Sequence, residues 1–268
     1  LVLDISNAQN ATIGTDSATG SIVDESDDPN DPGANTEGDK PTVSVGDAVA
    51  TEGGNLVHQV TVNGDTTQAD VTYDFSLTDG STDPATAGSD YTNAPVFSNG
   101  VINNGDGTIT VPAGVTDFTV TYPTLTDNIL ENDETTTITI GNDSGTGTII
   151  DNDTAPTLTV NDNSVTEATG NTVSNSFDIT DPQSVTALTV NGQDVTLATS
   201  GNPITILGGN AGTLVITNYD ATTGKLTYEY TENDNAEDHS AGAVFDQFDV
   251  VLTNTIGDTI NDILDIEI

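Results

Sequence analysis

The sequence contains no cysteine, methionine or tryptophan, and only two basic residues, Lys40 and Lys225. Without cysteine there is no disulfide framework and no thiolate metal site, and redox logic says nothing about compartment. With so little lysine and arginine the chain cannot neutralise phosphates, which excludes nucleic acid and anionic membrane as electrostatic partners. Internal salt bridges are scarce for the same reason. No apolar run reaches the about 18 residues of a spanning helix, and no signal peptide is evident, so no direct membrane insertion is expected. Sugar-cleaving carboxylate pairs work beside aromatic platforms, and the six Tyr and six Phe are spread as core residues. Ser and Thr are plentiful, but no nucleophile–base constellation accompanies them. The two histidines, His58 and His239, lie far apart in sequence. The chain reads as non-enzymatic.

What is present is acid. There are 43 acidic residues, 33 Asp and 10 Glu, for a net charge of −41 over 268 residues. Repulsion on that scale opposes a compact state. Either the charge only keeps the chain soluble in salt, or a metal cation neutralises it. The bias to the short carboxylate suits tight turns and hard-cation sites. Low hydrophobic content, 33%, sits near the disordered corner of composition space. The pattern argues for order instead. Short Val, Ile and Thr runs such as "LTVND", "TTTITIG" and "FDVVLTN" are bounded by Gly, Asn, Asp and Pro, which marks strands and turns.

Two internal repeats organise the chain. "TIGTDSATGSIVDESDDP" (Thr12–Pro29) lies over "TIGNDSGTGTIIDNDTAP" (Thr139–Pro156) with ten of eighteen positions identical. "PTVSVGDAVATE" (Pro41–Glu52) lies over "PTLTVNDNSVTE" (Pro156–Glu167) with six of twelve identical, at a period of 115 residues. That period is the size of one β-sandwich. Residues 1–24 are therefore expected to be terminal strands of a truncated upstream repeat, and 25–40 an acidic linker. Residues 41–153 form one sandwich and 154–268 a second. The first residue is leucine, so the chain is expected to be part of something longer. The fold expected is all-β: tandem Ig-like Greek-key β-sandwiches joined end to end. In the first block, strands are expected near 42–50, 55–62, 70–77, 108–111, 117–122, 135–141 and 146–150. In the second they are expected near 157–161, 173–179, 185–190, 204–207, 213–218, 225–230, 247–253 and 259–267. Hairpin turns are expected at Asn103–Thr108 and Thr222–Gly224.

Acid clusters where blocks meet. The last strand of the first block delivers Asp151 and Asp153 to the joint, and the loop after each block's first strand adds Asp47 and Glu52, or Asp162 and Glu167. Carboxylates from both sides of a joint can surround one cation, and calcium accepts irregular, loop-built oxygen sites. Asp24, Asp27 and Asp28 repeat the theme upstream.

Residues 41–153 resemble a Calx-β domain. The resemblance is carried by "TEGG" (Thr51–Gly54), "SDYT" (Ser89–Thr92), "DNILENDETTTITI" (Asp127–Ile140) and "GTGTIIDND" (Gly145–Asp153). It implies calcium ligands at Glu52, Asp90, Asp127, Glu131, Asp133, Glu134, Asp151 and Asp153. Residues 155–268 resemble the Ig-like repeats of giant type I-secreted (RTX/biofilm-associated) bacterial adhesins, through Gly212–Gly242 and Phe245–Ile268. Those repeats usually carry a DxDGD turn between their last two strands. "NTIGDT" (Asn254–Thr259) stands there instead, so Asp234 and Asp238 in "ENDNAEDH" are the better metal candidates.

The expectation is a non-enzymatic, calcium-stabilised spacer of a bacterial cell-surface adhesin. It would be extracellular, and its partners would be Ca2+ and neighbouring repeats of the same chain. A surface glycan or protein ligand would be met through other domains. The rival expectations are a ligand-binding module for a glycan or peptide, and a self-assembling matrix or fibre subunit using strand addition.

Overall fold

The computed structural model describes residues 2–4, 17–19, 40–64, 66, 69–167, 170–233 and 236–268. β1 (Val2–Asp4) and β2 (Ser17–Thr19) pair antiparallel as a two-stranded ladder. The remaining strands fall into four sheets, two in each of two tandem Ig-like sandwiches.

The first sandwich contains β3 (Thr42–Val45), β4 (Ala48–Thr51), β5 (Asn55–Asn63), β6 (Val71–Asp79), β7 (Val96–Phe97), β8 (Ile102–Asn103), β9 (Thr108–Val111), β10 (Asp117–Pro123), β11 (Glu134–Ile140) and β12 (Asp143–Ile150). One sheet runs β3-β5-β10-β7, the other β4-β12-β11-β6-β9-β8. Strict alternation builds the layer between them. Leu56, His58, Val60 and Val62 of β5 and Phe118, Val120 and Tyr122 of β10 point inward, facing Ile138, Ile140 and Ile149 from the opposite sheet. His58 is fully buried and stacks on Tyr122. Its ring nitrogens are satisfied by Gly46 O at 2.9 Å and the Tyr122 hydroxyl at 3.0 Å. Burial lowers its pKa.

The stretch expected as one strand over 42–50 is two. β3 pairs antiparallel with β5, and β4 crosses to the other sheet to lie parallel to β12. Gly46 and Asp47 make the crossing. Gly46 N donates to Gln59 O, while the Asp47 carboxylate accepts from Thr146 N at 2.7 Å. The segment 94–107, where no strand was expected, supplies the short edge strands β7 and β8.

The second sandwich contains β13 (Leu158–Thr159), β14 (Asn163–Ser164), β15 (Thr172–Ile179), β16 (Val185–Val190), β17 (Gln193–Asp194), β18 (Ile204–Ile206), β19 (Gly212–Asp220), β20 (Lys225–Glu232), β21 (Phe245–Asn254) and β22 (Thr259–Glu267). Its sheets run β13-β15-β20-β19-β18 and β14-β22-β21-β16-β17 around Phe177, Tyr228, Tyr230, Phe248 and Leu264. The same division recurs at its start, because β14 lies parallel to β22. Both expected hairpins form, β8–β9 across Asn104–Gly107 and β19–β20 across Ala221–Gly224.

Candidate metal centre

The β4–β12 pairing decides where the acids meet. Parallel neighbours end at the same pole, and the register sets Ile150 beside Thr51. Glu52 N extends the ladder by donating to Ile150 O at 3.1 Å. Glu52 therefore stands next to the Asp151–Asp153 segment that follows β12. β11 starts at this pole too, with Glu134 opposite Ile149, so the preceding loop 127–133 hangs over it. Asp90 arrives on a turn fastened to the end of β10. Thr86 N donates to its side chain at 2.5 Å, Leu125 N donates to its carbonyl, and Thr92 N donates to Pro123 O.

The result is two groups of three carboxylates. Glu52, Asp151 and Asp153 form one, and Asp90, Glu131 and Glu134 the other; in each, one oxygen per residue lies within 4.8 Å of the rest. Backbone bonds join the groups. Glu131 N donates to Asp151 Oδ2 at 3.2 Å, and Asp151 N to Asp133 Oδ1 at 3.3 Å. Ile129 N donates to Asp127 Oδ1 at 2.7 Å, shaping the loop. Asp127 and Asp133 are exposed at the margin. No cationic side chain balances this charge. Lys40 lies over the Tyr73 ring, 4.6 Å from its centroid, and Lys225 is in β20 opposite Asp178 and Asp220.

The electrostatic cost is visible at single atoms. Partial burial, followed by the charges of Asp127, Asp151, Asp153 and Glu131, pushes Glu52 up to about 7. Partial burial, followed by Asp90 and Glu131, pushes Glu134 up to about 8. Glu131 and Asp153 are raised for the same kinds of reason, burial first. Glu52 Oε2 and Asp153 Oδ2 are shut off from solvent yet accept no hydrogen bond. A buried polar oxygen without a donor is costly. Oxygen-only ligands, clustered negative charge and lone pairs aimed at no donor are what a hard divalent cation requires. These groups could hold metal ions, and the residues fit them.

The acids of the second sandwich do not join this centre. Asp151 and Asp153 meet Glu52 of their own sandwich, the grouping that the Calx-β resemblance implied, and not Asp162 and Glu167 from across the joint, which the position of the acids had suggested. The reason is the repeated parallel pairing. β14 ends beside the end of β22, with Val165 N on Glu267 O, so Glu167 follows that strand pair. Asp162 accepts from Asp265 N at 3.1 Å. Glu167 accepts from Glu237 N at 2.5 Å and faces His239 Nε2 at 3.4 Å. Asp238 accepts from Ser240 N at 2.9 Å. Among the described residues, no three acids of this sandwich come as close as those of the first. Asp234, Asp24, Asp27 and Asp28 lie outside the described residues.

One buried acid, Asp246, escaped the sequence reading, and another, Glu232, opens the "ENDNAEDH" stretch that the sequence singled out. Asp246, 1% exposed, accepts from Asn210 N, Ala211 N and the Tyr230 hydroxyl. Glu232, 3% exposed, has an Oε2 without a partner. Each occupies an inward phase of its strand, and that phase was the available signal.

The side chains of the second sandwich that bond across to the first or to the joint are hydroxyls and one carboxylate, Asp181. Leu130 N donates to Ser184 Oγ at 2.8 Å, the Thr255 hydroxyl donates to Leu130 O, and the Thr154 hydroxyl donates to Asp181 Oδ2 at 3.1 Å. A groove between the two sandwiches, lined by Pro84, Glu131, Glu134, Thr255 and Ile256, opens onto the second carboxylate group.

No family model and no curated protein matches the chain. Among solved structures, the apo form of the Calx CBD1 domain is 21% identical, covering 41% of this chain and 96% of its own, with a TM-score of 0.32. The calcium binding domain CBD12 of CALX1.1 is 17% identical, covering 79% of each chain, with a TM-score of 0.34. The titin domains Z1Z2 in complex with telethonin are 12% identical, covering 85% of this chain and 95% of theirs, with a TM-score of 0.35.

Proposed function

We propose that this chain is a non-catalytic spacer, stabilised by calcium, within a large bacterial cell-surface adhesin. Its work is to hold a distal ligand-binding region away from the cell. The observation that carries the calcium reading is the pair of three-carboxylate groups at the pole next to the second sandwich, with Glu52 Oε2 and Asp153 Oδ2 buried and undonated. One ion would be held by Glu52, Asp151 and Asp153 and another by Asp90, Glu131 and Glu134. The ions would supply positive charge to a cluster that has no lysine or arginine. Magnesium demands near-ideal octahedral geometry, whereas calcium tolerates irregular sites such as these, each assembled from two separate segments of the chain. Weak, numerous sites suit the millimolar calcium outside cells. The adhesin reading adds the tandem sandwiches, the near absence of basic residues and the sequence resemblance of 155–268.

A thermal melt of the full chain in millimolar calcium, in magnesium and in excess chelator tests the reading. A large, calcium-specific rise in Tm is expected. Identical melts in all three would reduce the acids to a solvated surface and remove the calcium reading.

A further inference from the structure

The loop that carries Asp127, Glu131 and Asp133, and leads into Glu134 at the start of β11, is gripped at its middle by the second sandwich. Leu130 N donates to Ser184 Oγ, and Leu130 O accepts from the Thr255 hydroxyl. Ser184 is fully buried and its own carbonyl accepts from Thr255 N at 3.0 Å, so the two hydroxyls are fixed relative to each other. The decisive bond is the next one along. Leu130 C=O and Glu131 N–H belong to one peptide group, which is planar and stiff. Its oxygen is held by Thr255, and its N–H donates to Asp151 Oδ2. A hydroxyl of the second sandwich and a carboxylate of the metal centre thus hold opposite ends of a single rigid plate. A second connection runs beside it, because Thr154, which follows Asp153, donates to Asp181.

We propose that Ser184 and Thr255 are positioning residues for the metal centre, so that cation binding in the first sandwich and docking of the second are thermodynamically linked. The proposal rests on the calcium reading above. Turning the 130–131 peptide moves the donor on Asp151 and the carboxyl of Glu131, one in each group. A cation that fixes those carboxylates fixes the plate, and the plate presents Leu130 to Ser184 and Thr255. Linkage is reciprocal, so docking must raise cation affinity by the factor by which the cation favours docking.

The test uses the full chain and calcium alone as probe. Calcium affinity is measured by titration calorimetry for the wild type, Thr255→Val, Thr255→Ser and Ser184→Ala. Hydrogen exchange at the Leu130 amide is followed with calcium and with chelator. Thr255→Val and Ser184→Ala are expected to weaken calcium binding by roughly fivefold or more, the low end of typical coupling. Thr255→Ser keeps the hydroxyl and is expected to keep the affinity. Calcium is expected to slow Leu130 exchange in the wild type and much less in Ser184→Ala. Thr255 is exposed, so its variants test the link even if Ser184→Ala disturbs folding. Tight calcium binding unchanged in both Thr255 variants would overturn the linkage and leave the calcium reading standing. A wild type that binds no calcium would overturn both.

Discussion

Glu52 concentrates the physics of the centre in one side chain. Its carboxylate is raised to about 7 by burial and four neighbouring acids, and one of its oxygens meets no donor. Removing that charge should act in opposite directions with and without metal. Glu52→Gln is expected to raise Tm in chelator, where it relieves repulsion, and to lose most of the calcium-induced rise. Paired melts of variant and wild type check it; a variant that still gains the full calcium increment would take Glu52 out of the ligand set. A pH dependence follows from the same shifts. Glu52 and Glu134 have folded pKa values near 7 and 8, above the about 4.5 of an ordinary glutamate. The metal-free folded state therefore binds more protons than the unfolded chain between about pH 4.5 and 8, and loses stability as pH rises through that window. His58, whose pKa is lowered, has the opposite sign: the stability tied to it falls as pH drops below its ordinary value. It faces Gly46, Tyr122 and Asp47 rather than the metal centre, so its effect cancels in a difference. The calcium-minus-chelator Tm gap is expected to widen from pH 5 to pH 8. A gap that stays constant would contradict proton–cation competition.

At the scale of strands, most of the fold was legible; the short two-residue strands β7, β8 and β17 were missed, and so was one crossing. Period-two runs such as Leu56–Val62 and Phe118–Tyr122 announce their faces directly, and the Gly and Asn turns mark the hairpins. The split of 42–50 into β3 and β4 was hidden because Gly46-Asp47 interrupts the run by only two residues while sending the halves to different sheets. That hidden crossing is what sets β4 parallel to β12 and brings Glu52 to Asp151. The acids were therefore readable as candidates, and the Calx-β resemblance named them as one set, but their division into two groups of three was not readable. The same blindness covered Ser184 and Thr255, ordinary hydroxyl residues until the fold places them against Leu130. Close approach in β12 offers a test at this scale. A Cβ on Gly147 would stand 2.4 Å from Thr136 Oγ1 and 2.7 Å from the Tyr122 hydroxyl, which bond each other at 2.6 Å in the buried layer. Gly147→Val is expected to cost about 1–3 kcal/mol or more through overpacking, measured by denaturant unfolding. A neutral substitution would mean that β12 does not press on β10 as described.

Across the whole molecule, a net charge of −41 with two lysines opposes the compact state by self-repulsion. Monovalent salt screens exposed charges within a Debye length of about 3 Å at 1 M, but reaches partly buried groups far less. High sodium chloride in chelator is expected to recover only part of the Tm that millimolar calcium restores, and full recovery by salt would argue for screening alone.

The parallel placement of β4 against β12 also fixes how the first sandwich answers force. Tension applied at its two ends drags these neighbours in opposite directions along their length. Their four register pairs, Gly147↔Ala48 to Ile150↔Thr51, are then loaded in shear together rather than peeled one at a time. The second sandwich closes its corresponding β14–β22 contact with two pairs, Asn163↔Ile266 and Ser164↔Glu267. Stretching single molecules should therefore give two unequal rupture peaks. The larger belongs to the sandwich whose shear clamp ends in the carboxylates of Glu52 and Asp151, and it is the one that calcium should strengthen. The weaker unit would yield first under load and act as a fuse in the chain, lengthening it while the stronger unit still holds.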